Sequence, residues 1–430
     1  MSRLIITGKN RLNGELTIQG SKSSCLPILA VCLLINDKVV LKNCPDISDV
    51  REMISVLSYL GCEVDFYQGE LTLNCENAKK LSLPNECSLL RASITFVGAM
   101  LSRFESVKMP YPGGCNLGGR PINFHIDGLR ALGVEILEEN DYISARVVKN
   151  RLNGYYSFPK PSLGALENLI IRALSINGTC IFDNCTLEPE IVDFCDFLNK
   201  AGASIHGAGT KRIVVEGGRI LKGIVYEIPG DRIVAGTYLC AVAVTGGNVR
   251  LKGVFPDRLY KMISYLRKIG CHLFTDYQTN EIIEVANGEL KGEEVIITGP
   301  YPEFSTDLQP QMMATSCFVQ GNTMVKDLIY PARYGIVKEL KKMGADISEL
   351  SDIVIIKGGN SISGADLVAM DLRGGAALVI AALGSEGISE ITGCEYITRG
   401  YEDIQRDLRA LGADIKWSVE DEENQLTKQE

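Results

Sequence analysis

Histidine is almost missing from this 430-residue chain, which holds three. So scarce a ligand argues against a histidine-rich metal centre. The 14 cysteines are scattered, with no CxxC pair and no paired Cys/His spacing, which removes the usual zinc frameworks. Most sit in apolar patterns, as Cys32, Cys195, Cys240 and Cys317 do, where cysteine behaves as a small hydrophobe and is expected to stay a thiol. The longest apolar runs, such as 26–35, are too short to cross a bilayer, so no membrane partner is expected. Met1-Ser2-Arg3-Leu4 lacks the apolar stretch of a signal peptide, and the cytoplasm is the expected location. Positive charge is in deficit, with a net charge of −9, so nucleic acid is not an expected partner, although a local basic pocket fits inside an acidic shell. GxxxxGK, GxSxG, HExxH and EF-hand patterns are also missing.

What is present is a repeat. A small or apolar residue, then glycine, then a short β-type run follows an amphipathic helical pattern six times, at Gly61, Gly133, Gly202, Gly270, Gly344 and Gly412. Self-similarity at about 70 residues means repeated architecture. In the first unit Val50, Met53, Ile54, Leu57 and Leu60 share one helical face, and Gly61 is a natural stop. Asp49 with Glu52 resembles a capping box. Strands are expected at 63–67 and 70–74. A second helix over 89–101 is apolar nearly all round and therefore buried on all sides. Such helices recur at 25–35, 165–175, 235–244, 308–318 and 376–383. Helices inside and strands outside predict a two-domain, inside-out α/β barrel architecture of six βαβαββ-type repeats, three per domain. Its active site is expected in the interdomain cleft. Composition, 46% hydrophobic and 23% charged, is that of a globular protein, and the length favours two domains. The expected domains are 20–230, carrying a glycine-rich loop, and 1–19 with 231–419; the polar tail 420–430 is expected to be disordered.

The repeats differ just before each buried helix. The first three place Lys22, Arg91 and Lys160 there; the last three place Asp231-Arg232, Asp307 and Asp371-Leu372-Arg373. An apolar helix does not need a charge at its entrance. Helix N-termini favour anions, and Lys or Arg beside them makes phosphate sites, so the set points to a phosphate-bearing ligand, with salt bridges and solvated caps as the competing reading. Asp307 is open to two roles, a helix N-cap or a general base facing cations, and Asp371 shares the ambiguity. His125 is better read as a satisfied structural histidine, and Glu188-Pro189-Glu190 either orients basic groups or caps the following helix.

The segment 112–121, Pro-Gly-Gly-Cys-Asn-Leu-Gly-Gly-Arg-Pro, cannot hold a strand or helix and is expected to be a mobile loop. Its Cys115 is the one thiol without an apolar setting. Near Arg120 and Lys22 it would have a lowered pKa and be reactive.

Gln19-Gly20-Ser21-Lys22, the Cys115 loop, Glu188-Pro189-Glu190-Ile191, Gly207-Ala208-Gly209-Thr210, Asp231-Arg232-Ile233, Thr306-Asp307-Leu308-Gln309, Asp371-Leu372-Arg373 and Arg399-Gly400-Tyr401-Glu402 together resemble the UDP-N-acetylglucosamine 1-carboxyvinyltransferase (enolpyruvyl transferase) family, in order and across essentially the whole chain. The resemblance implies transfer of the enolpyruvyl group of phosphoenolpyruvate to the 3-hydroxyl of UDP-N-acetylglucosamine, with no cofactor and no metal. It implies that Lys22, Arg120 and Arg399 hold phosphoenolpyruvate, with Arg91 in the same cationic site. Cys115 would protonate C3 or assist product release, and would be the residue alkylated by fosfomycin. Asp307 would accept the sugar hydroxyl proton. A strand over 120–124, with Pro121, Ile122, Asn123 and Phe124, would line the uridine. Lys160, Ser162, Leu163 and Gly164 would meet the diphosphate, and Ile329 the uridine sugar region. Ser23, Asp231, Arg333, Asp371 and Arg373 complete the expected substrate-binding set.

Departures from the family pattern cluster near that set. Ser23 replaces Asn, Asn123 replaces Asp, Leu187 replaces Arg, Pro331-Ala332 replaces Glu-Asn before Arg333, and Thr398 replaces Asp before Arg399. They suggest a divergent paralogue, either a second, weaker copy or an enzyme for another nucleotide sugar; Ser23 speaks for an impaired UDP-sugar-binding protein, and the competing reading within the fold is the related shikimate-pathway enolpyruvyl transferase. The last is opposed by the Cys115 loop. Retention of Lys22, Cys115, Arg120, Asp307 and Arg399 together opposes an impaired site.

Overall fold

The computed structural model describes residues 2–113, 121–139, 141–148, 152–287, 289–331 and 333–419. The expected loop residues Cys115 and Arg120, and the tail from Glu420, lie outside the described residues. Two compact units emerge, one of residues 19–229 with 300–302, the other of 1–18, 230–299 and 303–430.

In the first unit three helices, Lys22–Val31, Thr95–Phe104 and Leu163–Ala173, pack on one another. In the second the equivalents are Arg232–Thr245, Gln309–Ser316 and Leu372–Gly384. Every residue of the last two is buried, so neither has a solvent-facing side, and the polar Gln309, Gln311, Thr315 and Ser316 lie inside as well. Among the described residues each unit wraps its helices in three sheets. The repeating connection is strand, buried helix, parallel strand: Asn153–Ser157 leads through Leu163–Ala173 to its parallel partner Thr179–Asp183. Asp366–Val368 and Ile388–Thr392 flank Leu372–Gly384 likewise. Antiparallel strands complete each sheet, as Glu63–Tyr67 pairs Glu70–Asn74 at the predicted boundaries.

All six repeat glycines have positive φ, between 83° and 112°, just beyond the outer helices. Gly61 ends Ser48–Leu60 with a φ of 103°, a conformation costly for any residue with a Cβ. Close packing also uses glycine inside the core. A Cβ on Gly98 would lie 2.5 Å from the Asn168 carbonyl and side-chain oxygens.

Four expectations are corrected. Of the strand expected over 120–124, the described residues 121–124 form none: Asn123–Ala131 is a helix, with Asn123 and Phe124 in its first turn. Asp49 and Glu52 form no capping box, because Ile47 is the N-cap and Asp49 lies inside the first turn, buried. The segment 89–101 is not one helix but a 3-10 turn Arg91–Ile94 running into Thr95–Phe104. Lys22 does not precede its helix; Ser21 is the N-cap and Lys22 the first helical residue. The described cysteines are all buried and free. Among the described residues no helix is long and apolar enough to cross a membrane.

Glu284 is a buried carboxyl in the second unit, on strand Glu281–Ala286. Burial pushes it up to about 8, and neither side-chain oxygen has a hydrogen-bond partner among the described residues. Its folded pKa is raised, so its contribution to stability is fully present below the unfolded value near 4.5 and is lost as pH rises through about 8. Glu284→Gln is therefore expected to gain stability relative to the parent between pH 5 and 8, by at most about 1.4 kcal/mol per pH unit. Urea denaturation at both ends of that window measures it, and a pH-independent difference refutes the assignment.

Candidate active site

The charged helix entrances resolve into distinct devices. At the first, Lys22 Nζ lies 2.6 Å from Asp49 Oδ2, with side-chain exposures of 14% and 4%. A pair this buried is held by mutual charge, since removal of one partner strands the other in a poor solvent for ions. Next to it Ser24 donates to Asp193 at 2.8 Å. Ser23 sits on the same first turn, half-buried.

Arg91 is half-buried and donates to the Pro121 carbonyl at 3.1 Å, which ties it to the start of the 123–131 helix. Pro121 and Asn123 are exposed, Phe124 half-buried, and Ile122 buried. His125 is buried, and its Nδ1 meets the Asn168 amide at 3.1 Å; Asn168 also accepts from the Gly98 N–H at 2.8 Å. Burial, with the charge of Arg91 nearby, pushes the imidazole down to about 3 and keeps it neutral. The structural reading of His125 therefore holds.

Lys160 is exposed, three residues ahead of the helix Leu163–Ala173. Ser162 is the N-cap by position but makes no side-chain cap, so the first amides, at half-buried Leu163 and Gly164, are not met by a capping side chain. The corresponding ends in the other unit are closed. Asp231 accepts from Ile233 N–H at 2.8 Å and Val234 N–H at 3.2 Å. Asp371 accepts from the Arg373 and Gly374 N–H groups, each at 3.0 Å. Capping thus accounts for Asp371, and Asp231 caps in the same way.

Asp307 does not cap. It lies within the 3-10 turn Thr306–Leu308, whose N-cap is Ser305. Its Oδ1 accepts from Arg333 Nη1 at 2.7 Å, and its Oδ2 from Arg373 Nη2 at 3.2 Å and Nε at 3.3 Å. Both arginine side chains are 4% exposed, whereas that of Asp307 is 36% exposed. The carboxylate therefore rests on two buried guanidinium groups with one side open. Partial burial opposes its charge, but Arg373 and Arg333 outweigh that and hold the carboxyl far below the usual carboxylate range. Exposed Ile329 follows the buried Asp327, whose carboxylate accepts from its N–H at 2.9 Å. Arg399 is half-buried at the end of the 3-10 turn Cys394–Arg399.

The structure thus joins Asp307, Arg333 and Arg373 directly, and Arg91 to Pro121. Sequence reading missed the partners of its own candidates: Asp49 for Lys22, and the two arginines for Asp307. A signal existed in the second case, since Asp371-Leu372-Arg373 places a cation two residues after an N-cap.

Asp307→Ala is expected to strand two facing guanidinium groups and to cost about 2–3 kcal/mol, somewhat less than a fully buried pair because the carboxylate is partly open. Adding Arg373→Met should recover at least half of that in urea denaturation. No recovery means that the ion pairing is not what holds this corner.

A family model described as EPSP synthase (3-phosphoshikimate 1-carboxyvinyltransferase) matches residues 6–408. Among curated relatives, UDP-N-acetylglucosamine 1-carboxyvinyltransferase 2 of Caldanaerobacter subterraneus subsp. tengcongensis is 41% identical over 417 residues, 96% of this chain and 99% of that one. UDP-N-acetylglucosamine 1-carboxyvinyltransferase 1 of Legionella pneumophila is 40% identical over 96% of this chain and 82% of its own. Among solved structures, the enolpyruvyl transferase NikO of Streptomyces tendae superposes with a TM-score of 0.87 at 22% identity, covering 97% of this chain and 99% of that one. An EPSP synthase of Acinetobacter baumannii gives 0.74 at 20% identity, covering 97% and 100%. At these identities the two structures speak to the fold.

Proposed function

This chain belongs to the enolpyruvyl transferase family, and on that premise we propose that it transfers the enolpyruvyl group of phosphoenolpyruvate to the 3-hydroxyl of UDP-N-acetylglucosamine, releasing phosphate. The near-full-length likeness to curated carboxyvinyltransferases of that specificity carries the reading. The reaction is the first committed step of peptidoglycan precursor synthesis, and the cytoplasm is its place.

In this proposal Lys22, Arg120 and Arg399 bind the phosphate and carboxylate of phosphoenolpyruvate, with Arg91 adding to the same field. The pairing of Lys22 with Asp49 supports its part, because a fixed ammonium group needs no reorganisation when the substrate arrives. Lys160, with the amides of Leu163 and Gly164 behind the uncapped Ser162, receives the diphosphate. Pro121, Ile122, Asn123 and Phe124 meet the uridine from a helix start, and Ile329 meets the uridine sugar region. Ser23 borders Lys22 and serves the intermediate in place of the family's Asn. Asp231 and Asp371 contribute as caps that order Arg232 and Arg373.

The sugar 3-hydroxyl adds to C2 of phosphoenolpyruvate as C3 is protonated; the tetrahedral adduct then loses phosphate and a C3 proton. Asp307 takes the hydroxyl proton. Ionisation equips it to accept, but two guanidinium groups make it a weak base. Its basicity rises when an anionic substrate competes for Arg333 or Arg373, so base strength appears only with the substrate in place. Cys115 acts at C3 or in product release.

Phosphate release from phosphoenolpyruvate by the purified protein tests the proposal. Release that requires UDP-N-acetylglucosamine is the expected result; release driven by 3-phosphoshikimate instead, or none, overturns it. Asp307→Asn should lower kcat by about 10²–10⁴-fold while UDP-N-acetylglucosamine binding by calorimetry stays within a few-fold. Surviving turnover would leave Asp307 a purely structural residue. Cys115→Ser should abolish inactivation by fosfomycin, and continued inactivation would point to another thiol.

A further inference from the structure

Asp327 belongs to none of the expected site residues, yet three of them hang from it. It is 1% exposed, at the end of strand Val319–Lys326. Its Oδ1 accepts from Thr298 Oγ1 at 2.8 Å, from Ile329 N–H at 2.9 Å and from Tyr330 N–H at 2.8 Å. Its Oδ2 accepts from Thr306 Oγ1 at 2.7 Å. A buried carboxylate with four neutral donors is a costly feature to retain for a turn alone, since an uncharged acceptor would order the same amides at less desolvation cost.

The bonds lead outward to the candidate base by two routes. Through the hydroxyl, Thr306 gives its only proton to Asp327, so its lone pairs face Arg333, whose Nη1 lies 3.1 Å from Thr306 Oγ1 and 3.1 Å from the Thr306 carbonyl. That same Nη1 holds Asp307 at 2.7 Å. Through the backbone, Asp327 fixes the Tyr330 N–H, and the Tyr330 carbonyl accepts from the Arg333 N–H at 2.9 Å, closing a turn with Pro331 at its second position. Asp327 thus sets both the backbone position and the guanidinium direction of Arg333, and it sets the hydroxyl orientation of the residue preceding Asp307.

We propose that Asp327 is a positioning residue of the transferase reaction, acting through Thr306 and Arg333 to aim the Asp307 carboxylate. This rests on the reading of Asp307 as the base, so two independent readouts are needed. The first is kinetic. Thr306→Val, which breaks the hydroxyl route alone, should lower kcat by about tenfold or more with KM for UDP-N-acetylglucosamine within about threefold, and Thr306→Ser should restore it. Thr298→Val removes an equivalent bond to Asp327 off the path to Arg333, and should lower stability while keeping kcat within about threefold. Equal kcat losses for the two valine variants, or a Thr306→Val enzyme that loses stability but keeps kcat, overturn the proposal.

The second readout is amide hydrogen exchange in the folded protein, which needs no activity. Asp327→Asn should speed exchange about tenfold both in 327–334 and in 304–308, the segment of Asp307. Acceleration confined to 327–330 would make Asp327 a turn former only and overturn the proposal even if the parent protein releases no phosphate. Absence of release in the parent, by contrast, counts against the transferase reading and leaves the exchange result to decide the coupling.

Discussion

A helix packed on every side meets water only at its ends. Three such helices fill each unit, and in Gln309–Ser316 and Leu372–Gly384 no residue reaches solvent. For Leu163–Ala173, Gln309–Ser316 and Leu372–Gly384 the strands before and after the helix pair in parallel, so each of these feeding loops arrives at the same end of its sheet. That constraint gathers the entrance residues of a unit without any sequence proximity between them. Asp307, Arg333 and Arg373 meet although 66 positions separate the first from the last.

Charge at those entrances then follows two rules. Where the helix end needs a partner, a carboxylate supplies it, as Asp231 and Asp371 do, and the positive end of the helix is quenched. Where the end lacks a side-chain cap, as at Leu163, the amides stay available beside an exposed lysine. Asp307 breaks from both. Ser305 caps in its place, which frees the carboxylate to face the guanidinium groups of Arg333 and Arg373. Two residues of offset, from the cap to the second position of the turn, separate a structural aspartate from a candidate base.

That offset explains what the sequence could and could not yield. The repeat, the glycine stops and the apolar inner helices were legible because each depends on local periodicity or on backbone geometry that one residue type satisfies; Gly61 and the strands 63–67 and 70–74 fell where expected. Asp49 with Glu52 matched a capping pattern as well as any real example, and only the Lys22 ammonium, brought in from 27 positions earlier, shows why the aspartate is buried. The strand over 120–124 rested on the family resemblance and not on a pattern in the residues, and Asn123 and Phe124 instead open a helix. Asp327 left no local sign of its hub role, since two of its four donors, on Thr298 and Thr306, come from other segments.

The departures at Pro331 and Ser23 gain a physical reading from the same geometry. Residue 331 occupies the second position of the turn from Tyr330 to Arg333, where proline's fixed φ favours the turn and reduces the freedom lost on folding. A side chain there that reached for the ligand would compete with the Asp327 anchor; a proline stiffens the path from anchor to arginine instead. Ser23, beside a lysine already fixed by Asp49, gives up reach but not the placement of the ammonium group. Neither Pro331 nor Ser23 is itself one of the charged groups, and the Lys22–Asp49 and Arg333–Asp307 pairs stand beside them. On the proposed reading the departures tune the surroundings of the ion pairs, since Arg333 and Arg373 are both aimed at the half-open Asp307 carboxylate.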